Sequence, residues 1–133
     1  MMYDRLYSDF KALFPEDSDV LNKLSREANA DESDGMHVMF SFVIIPFVLS
    51  LMNANNTDKL KTTFDYFEKM ALSDSADITG VLEFTVIENL MSNGQRIYES
   101  AKKYMKPETI KCCKRVEKYL NIAKSEIATG KFH

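Results

Sequence analysis

The stretch Thr57–Met91, TDKLKTTFDYFEKMALSDSADITGVLEFTVIENLM, decides the fold. It reads as two helices joined by a tight polar turn at Ser73-Asp74-Ser75. In the first helix Leu60, Phe64, Phe67 and Met70 recur at three- and four-residue spacing, which puts them on one side. The second carries Ile78, Val81, Leu82, Phe84, Val86, Ile87, Leu90 and Met91 and is apolar on nearly every side. A helix with so little polar surface has to be surrounded by other helices. The pattern therefore predicts a central apolar post in an all-helical domain. Gly80 sits inside that post, where glycine costs about 1 kcal/mol relative to alanine, and this predicts the close approach of a neighbouring helix.

Upstream lies the most apolar run, Val38–Met52, VMFSFVIIPFVLSLM. Its fifteen residues fall short of the roughly twenty that a bilayer requires, so it reads as a buried core helix rather than a membrane span. Pro46 predicts a kink or break between Phe42 and Pro46, with Ser41 or Ser50 covering a freed carbonyl. Nearer the start, residues 2–14 form a helix with Tyr3, Leu6, Tyr7, Phe10, Leu13 and Phe14 facing in, stopped by Pro15. Asp17, Ser18 or Asp19 caps a short second helix with Val20, Leu21 and Leu24 inward. Asn56 or Thr57 caps the helix that opens the quoted stretch, and Ser75 or Asp74 caps the post.

Downstream, Ser92-Asn93-Gly94 closes the post with a left-handed glycine cap. Ile97, Tyr98, Ala101, Tyr104 and Met105 continue in helical spacing, and Pro107 opens the last helix at the first-turn position that proline tolerates. Its inner stripe is Ile110, Cys113, Val116, Tyr119 and Leu120, with Lys111, Lys114, Arg115 and Lys118 outward. After Asn121 the pattern weakens; Ile122, Ala123 and Ile127 extend the helix, and residues 129–133 read as a frayed tail. Together these give one domain over residues 1–121 and a partly frayed extension over 122–133. The expected architecture is all-α: an irregular stack of about seven antiparallel helices, arranged as HEAT-like hairpins around the apolar post. No firm internal period is present.

Charge is unevenly spread. Residues 1–100 hold 17 acidic and 8 basic residues, whereas residues 101–133 hold 3 acidic and 9 basic. An acidic body repels phosphates, which argues against direct nucleic-acid binding and favours a basic protein partner. Asp31, Glu32 and Asp34 in the loop Asn29–Gly35, and Asp74 and Asp77 at the polar turn, are the candidate contact residues. The loop lacks the alternate ligands and closing glutamate of a calcium site. No basic segment followed by an apolar run opens the chain, so no signal peptide is expected and the expected compartment is the cytoplasm. Cys112 and Cys113 are adjacent, where pairing would need a strained ring, and they read as reduced thiols that serve packing.

No catalytic constellation is legible. The histidines are His37, which starts the apolar helix and reads as a capping or packing residue, and His133, the terminal residue. Glu83 and Glu88 interrupt the apolar post, but five positions apart they point roughly 140° from each other, which disfavours a carboxylate pair on one helix. Glu68 is placed to approach Glu88 from the neighbouring helix. No Glu-x-x-His pair or glycine-rich loop exists, so neither a metal, a cofactor nor an enzymatic activity is expected.

In combination, His37-x-x-Phe40 with Pro46-Phe47, the block Phe67–Ala71, the acidic turn Asp74–Asp77, the helix Val81–Leu90 and the turn Tyr104–Thr109 are similar to a family of small bacterial helical proteins of uncharacterised function. The likeness covers roughly residues 36–120 and resembles immunity proteins of bacterial toxin systems, including contact-dependent growth inhibition. It implies a cytoplasmic antidote that binds and blocks one cognate toxin domain, often a nuclease, and it brings no catalytic residues. The alternative expectation is a general helical protein–protein adaptor.

Overall fold

The computed structural model describes the backbone of residues 1–128 and the side chains of residues 1–121. Seven α-helices fill this span: α1 (Leu6–Ala12), α2 (Ser18–Ala28), α3 (residues 36–53), α4 (Thr57–Ala71), α5 (residues 76–92), α6 (Gln95–Lys102) and α7 (Pro107–Ala128). Short 3-10 turns at Tyr3–Arg5, Pro15–Asp17 and Glu32–Asp34 lead into α1, α2 and α3. No strand occurs among the described residues. The all-α stack that the periodicities predict is the observed one. α7 passes Asn121 without interruption, and the tail expected over residues 129–133 lies outside the described residues.

α3 is one rod made of three pieces: an α turn at Met36–Met39, a π turn at Phe40–Ile44 and an α segment at Ile45–Asn53. The break expected near Pro46 is therefore absent. Pro46 has no N–H for the carbonyl of Phe42, and its ring crowds that carbonyl; the wider π turn just before it makes the room. Neither serine covers the Phe42 carbonyl. Ser50 Oγ donates to the Phe47 carbonyl at 2.6 Å, and Ser41 Oγ accepts from Asn89 Nδ2 at 3.4 Å. At eighteen residues the helix is long and apolar enough to cross a membrane, longer than its apolar run alone. In this fold half of it is buried among other helices, as in a core helix.

α5 also widens into a π turn, at Leu82–Ile87, with no proline to account for it. The two π turns face each other. His37 Nδ1 lies 2.6 Å from Thr85 Oγ1, and one turn on the Ser41–Asn89 bond repeats the same spacing in sequence. α3 and α5 therefore run parallel and in register, with α4 returning antiparallel to both. Glu83–Arg115 and Phe84–Tyr119 tie α5 to α7 in the same parallel sense. α5 touches α3, α4, α6 and α7, which makes it the expected central post.

Aromatic side chains close the other end of the core. Phe10 of α1 packs against Phe14, Phe40, Phe47, Tyr66 and Phe67, with ring centroids 5.2 to 6.4 Å apart. Pairs of this kind add about 0.5–1.5 kcal/mol each beyond burial. The Tyr66 hydroxyl donates to the Leu6 carbonyl at 2.8 Å and fixes α1 on α4. Burial raises that hydroxyl's pKa.

Several inward assignments are corrected. Leu13 and Val20 face solvent, as do Phe84 and Tyr119, which are 54% and 58% exposed. Asp17 makes no side-chain cap on α2; it accepts from Lys59 Nζ and pins α4 instead. Gly94 has φ 106° and ψ 159°, outside the left-handed helical region; its N–H still closes α5 on the Met91 carbonyl at 3.2 Å, and its own carbonyl accepts from Tyr98 N to open α6. A Cβ on Gly80 would meet nothing within 4 Å, so no neighbouring helix makes the close approach that this glycine predicts.

Candidate protein-docking site

The turn between α4 and α5 is set by its own serines. Ser75 Oγ accepts from Ile78 N and caps α5, while Ser73 Oγ accepts from Ser75 N. The turn is thus a fixed scaffold that carries Asp74 and Asp77 into solvent. Both are exposed, and neither has a hydrogen bond or ion pair among the described residues. Leu72, just before the turn, is 63% exposed.

The other acidic stretch is different. Asp31 Oδ1 accepts from Ser33 N at 2.8 Å and from Ser33 Oγ, while Asp31 N donates to Asp34 Oδ2 at 2.9 Å. This is a reciprocal capping box on the turn Glu32–Asp34. The Ser33 hydrogen bonds hold the Asp31 carboxyl below its usual range. Glu32 stays unbonded in this box, and its charge together with burial pushes the Tyr7 hydroxyl up, burial being the larger cause. Because α3 and α5 run parallel, the turn before α3 and the turn before α5 lie at one end of the molecule. The five predicted residues therefore share an end, but only Glu32, Asp74 and Asp77 keep carboxylates free for a partner. α7 starts at the same end, where Lys106 is neutralised by Asp65 at 2.7 Å and Lys111 by Glu108 at 2.9 Å.

Of the groups that sequence reading weighed for chemistry, His37, Glu68 and Glu83 hold helices together, whereas Glu88 makes no side-chain hydrogen bond or ion pair among the described residues. Glu68 does not approach Glu88. Its carboxylate accepts from Glu108 N at 3.1 Å, Thr109 N at 2.8 Å and Thr109 Oγ1 at 2.8 Å, so α4 caps the N-terminus of α7. These are the free backbone donors that a helix start presents, and a carboxylate there also meets the helix dipole favourably. Glu83 bonds Arg115 Nε at 2.8 Å. Glu117 accepts from Tyr98 Oη at 2.8 Å and Lys102 Nζ at 2.9 Å, and the Lys102 ammonium lies 4.4 Å from the Tyr98 ring centre. Hydrogen bonding from Lys102 holds the Glu117 carboxyl low. Cys112 and Cys113 are buried free thiols, and burial pushes Cys112 up to about 11, away from nucleophile chemistry at neutral pH. Among the described residues every buried side-chain nitrogen or oxygen has a partner.

Residues 7–121 match the family model described as a domain of unknown function, DUF7674. The chain belongs to this family. The match extends the likeness seen in the sequence back over α1 and α2. No curated protein and no solved structure matches the chain. Two segments of the DUF7674 domain singled out above, Phe67–Ala71 and Tyr104–Thr109, meet in space through Glu68 and Thr109. A second pair, His37 and the helix Val81–Leu90, meets through Thr85.

Sequence reasoning missed the exposed apolar residues of this domain: Leu72, Phe42, Phe84 and Tyr119. For Leu72 a signal existed. It lies two residues beyond Met70 and off the Leu60–Phe64–Phe67 stripe. For Phe84 one did too: it stands seven residues after Asp77 and four before Glu88, on the polar side of its helix.

Proposed function

We propose that this DUF7674 domain is an immunity protein: a cytoplasmic, non-catalytic antidote that binds a cognate bacterial toxin domain, a basic nuclease delivered by contact-dependent inhibition. The observation that carries the reading is the α4–α5 turn, where Asp74 and Asp77 stand free beside exposed Leu72 on a serine-capped scaffold. A nuclease surface is cationic because it binds phosphates, so a negative, pre-organised end attracts it and speeds its capture. The resemblance to immunity proteins noted in the sequence supports the same reading. Elsewhere Glu68, Glu83 and Glu117 are used in contacts between helices, which suits a protein that works by shape and charge.

The test is to express the product of each gene that adjoins its own, find one that halts growth, and co-express the domain with it. The expected outcome is rescue of growth and a complex that survives gel filtration at micromolar concentration. A toxin that remains lethal and passes the column alone would end the proposal.

A further inference from the structure

α6 follows the end of α5 across Gly94, so its first turn lies at the end of the molecule away from Asp74 and Asp77. Arg96, Ser100 and Lys103, the last at the C-cap of α6, recur at four- and three-residue spacing and share one side. That side borders a cleft of about 400 Å³, whose other wall is the last turn of α3. Its apolar lining is Leu49, Met52, Ile97 and Tyr104, each only partly buried and packed on the core. Tyr104 stacks on Phe64 at 6.0 Å, which fixes one wall. Asn55, at φ 53°, fixes the other: its N–H donates to the Met52 carbonyl at 3.1 Å, and Asn56 N donates to the Leu51 carbonyl at 3.0 Å.

The polar side chains around this cleft are Arg96, Lys103, Ser100, Asn53 and Asn55, and none of them makes a hydrogen bond or ion pair among the described residues. Lys102 and Lys106, close by in sequence, are held by Glu117 and Asp65. No carboxylate lines the cleft among the described residues, although residues 1–100 hold 17 acidic residues against 8 basic. Two cations without a counter-charge select an anion, and the apolar walls select one with hydrocarbon attached. Sites for small molecules are mostly apolar clefts of roughly 300–1,000 Å³ in which a few polar groups fix orientation. This cleft stands at the small end of that range, a size that suits one small molecule rather than a length of peptide.

We propose that the cleft between α3 and α6 binds a small organic acid, its carboxylate held by Arg96 and Lys103 and its apolar body laid against Met52, Ile97 and Tyr104. A carboxylate there accepts charge-assisted hydrogen bonds, which are roughly twice as strong as those between neutral groups. The site goes beyond the toxin-docking reading and does not rest on it, since it uses none of the docking residues.

The probe is octanoate, and its control is octanol, the same chain without the charge. Each is titrated into the isotope-labelled full chain, and the backbone amides are followed by NMR. Octanoate should move the amides of Asn53, Asn55, Arg96, Ser100 and Lys103 saturably, and octanol should bind at least tenfold more weakly. Arg96→Ala with Lys103→Ala should keep the thermal midpoint, because both side chains are exposed, and should weaken octanoate at least tenfold. Shifts that never saturate, equal binding of the alcohol, or wild-type affinity in the double variant would overturn the proposal. A peptide with glutamate among leucines that displaces octanoate and binds more than tenfold tighter would overturn it in favour of an acidic protein partner. Rescue of growth by the domain is a separate readout, so failure here leaves the immunity reading standing.

Discussion

The two acidic stretches of this chain, Asp31–Asp34 and Asp74–Asp77, look alike in sequence and are used differently. In the first, the Asp31 carboxylate accepts from Ser33 N and the Asp34 carboxylate from Asp31 N, which holds a 3-10 turn ahead of α3. In the second, serines do the capping and the carboxylates are left to solvent. A surplus of acid in a loop is therefore no measure of the charge it offers a partner. What counts is whether another side chain already satisfies the local backbone donors. Glu68 extends the contrast into the interior, since it serves a helix forty residues away.

The largest expected effect is at Glu68. Glu68→Ala leaves two backbone N–H groups and the buried Thr109 hydroxyl without their acceptor, at a cost of roughly 2–3 kcal/mol. Urea unfolding should show a lowered midpoint, and an unchanged midpoint would mean that α7 finds another cap. Next is the paired reversal Asp74→Lys with Asp77→Lys. It should lower the urea midpoint slightly, because Asp77 sits in the first turn of α5 where the helix dipole favours an acid, and slow association with a basic toxin domain by about tenfold at low salt, the difference in on-rate shrinking as salt screens the surface. Equal on-rates would remove this turn from the interface.

A smaller effect is expected at Asp31. Asp31→Ala should lower the thermal midpoint modestly without affecting on-rate, unlike the Asp74 and Asp77 reversal. Acid titration sharpens the same division. Glu117 and Asp31 have folded-state pKa values below their ordinary 4.5 and 3.8. The unfolded chain therefore takes up protons first as pH falls, and the stability these two groups contribute is present above those values and lost below them. Thermal midpoints measured downward from pH 6 should begin to fall near pH 4.5, and Glu117→Gln should make the fall shallower.

Much of the fold was legible because helical spacing in α3, α4, α5 and α7 is long and regular, and because serine, asparagine, proline and glycine mark the joins. The capping box was legible too: Asp31 three residues before Asp34 is its signature, yet the loop reads first as a charge cluster. Other features were hidden for physical reasons. Phe84 follows Asp77 by seven positions and Gly80 by four, which is the outward side of α5 by helical spacing; it was hidden because that helix carries apolar residues on nearly every side. Tyr119 sits one position off the buried line of Cys112, Val116 and Leu120, close enough to share an inner stripe by periodicity alone. The bond from Glu68 to Thr109 depends on two helices meeting, and no local pattern announces it.

That bond also orders events during synthesis. α7 emerges from the ribosome after every other helix, and the acceptor for its first turn belongs to α4, already made. Until α4 has settled, the opening turn of α7 holds its amides open to water. Nascent chains stalled before residue 107 should thus protect α4 from a protease less well than chains released at full length.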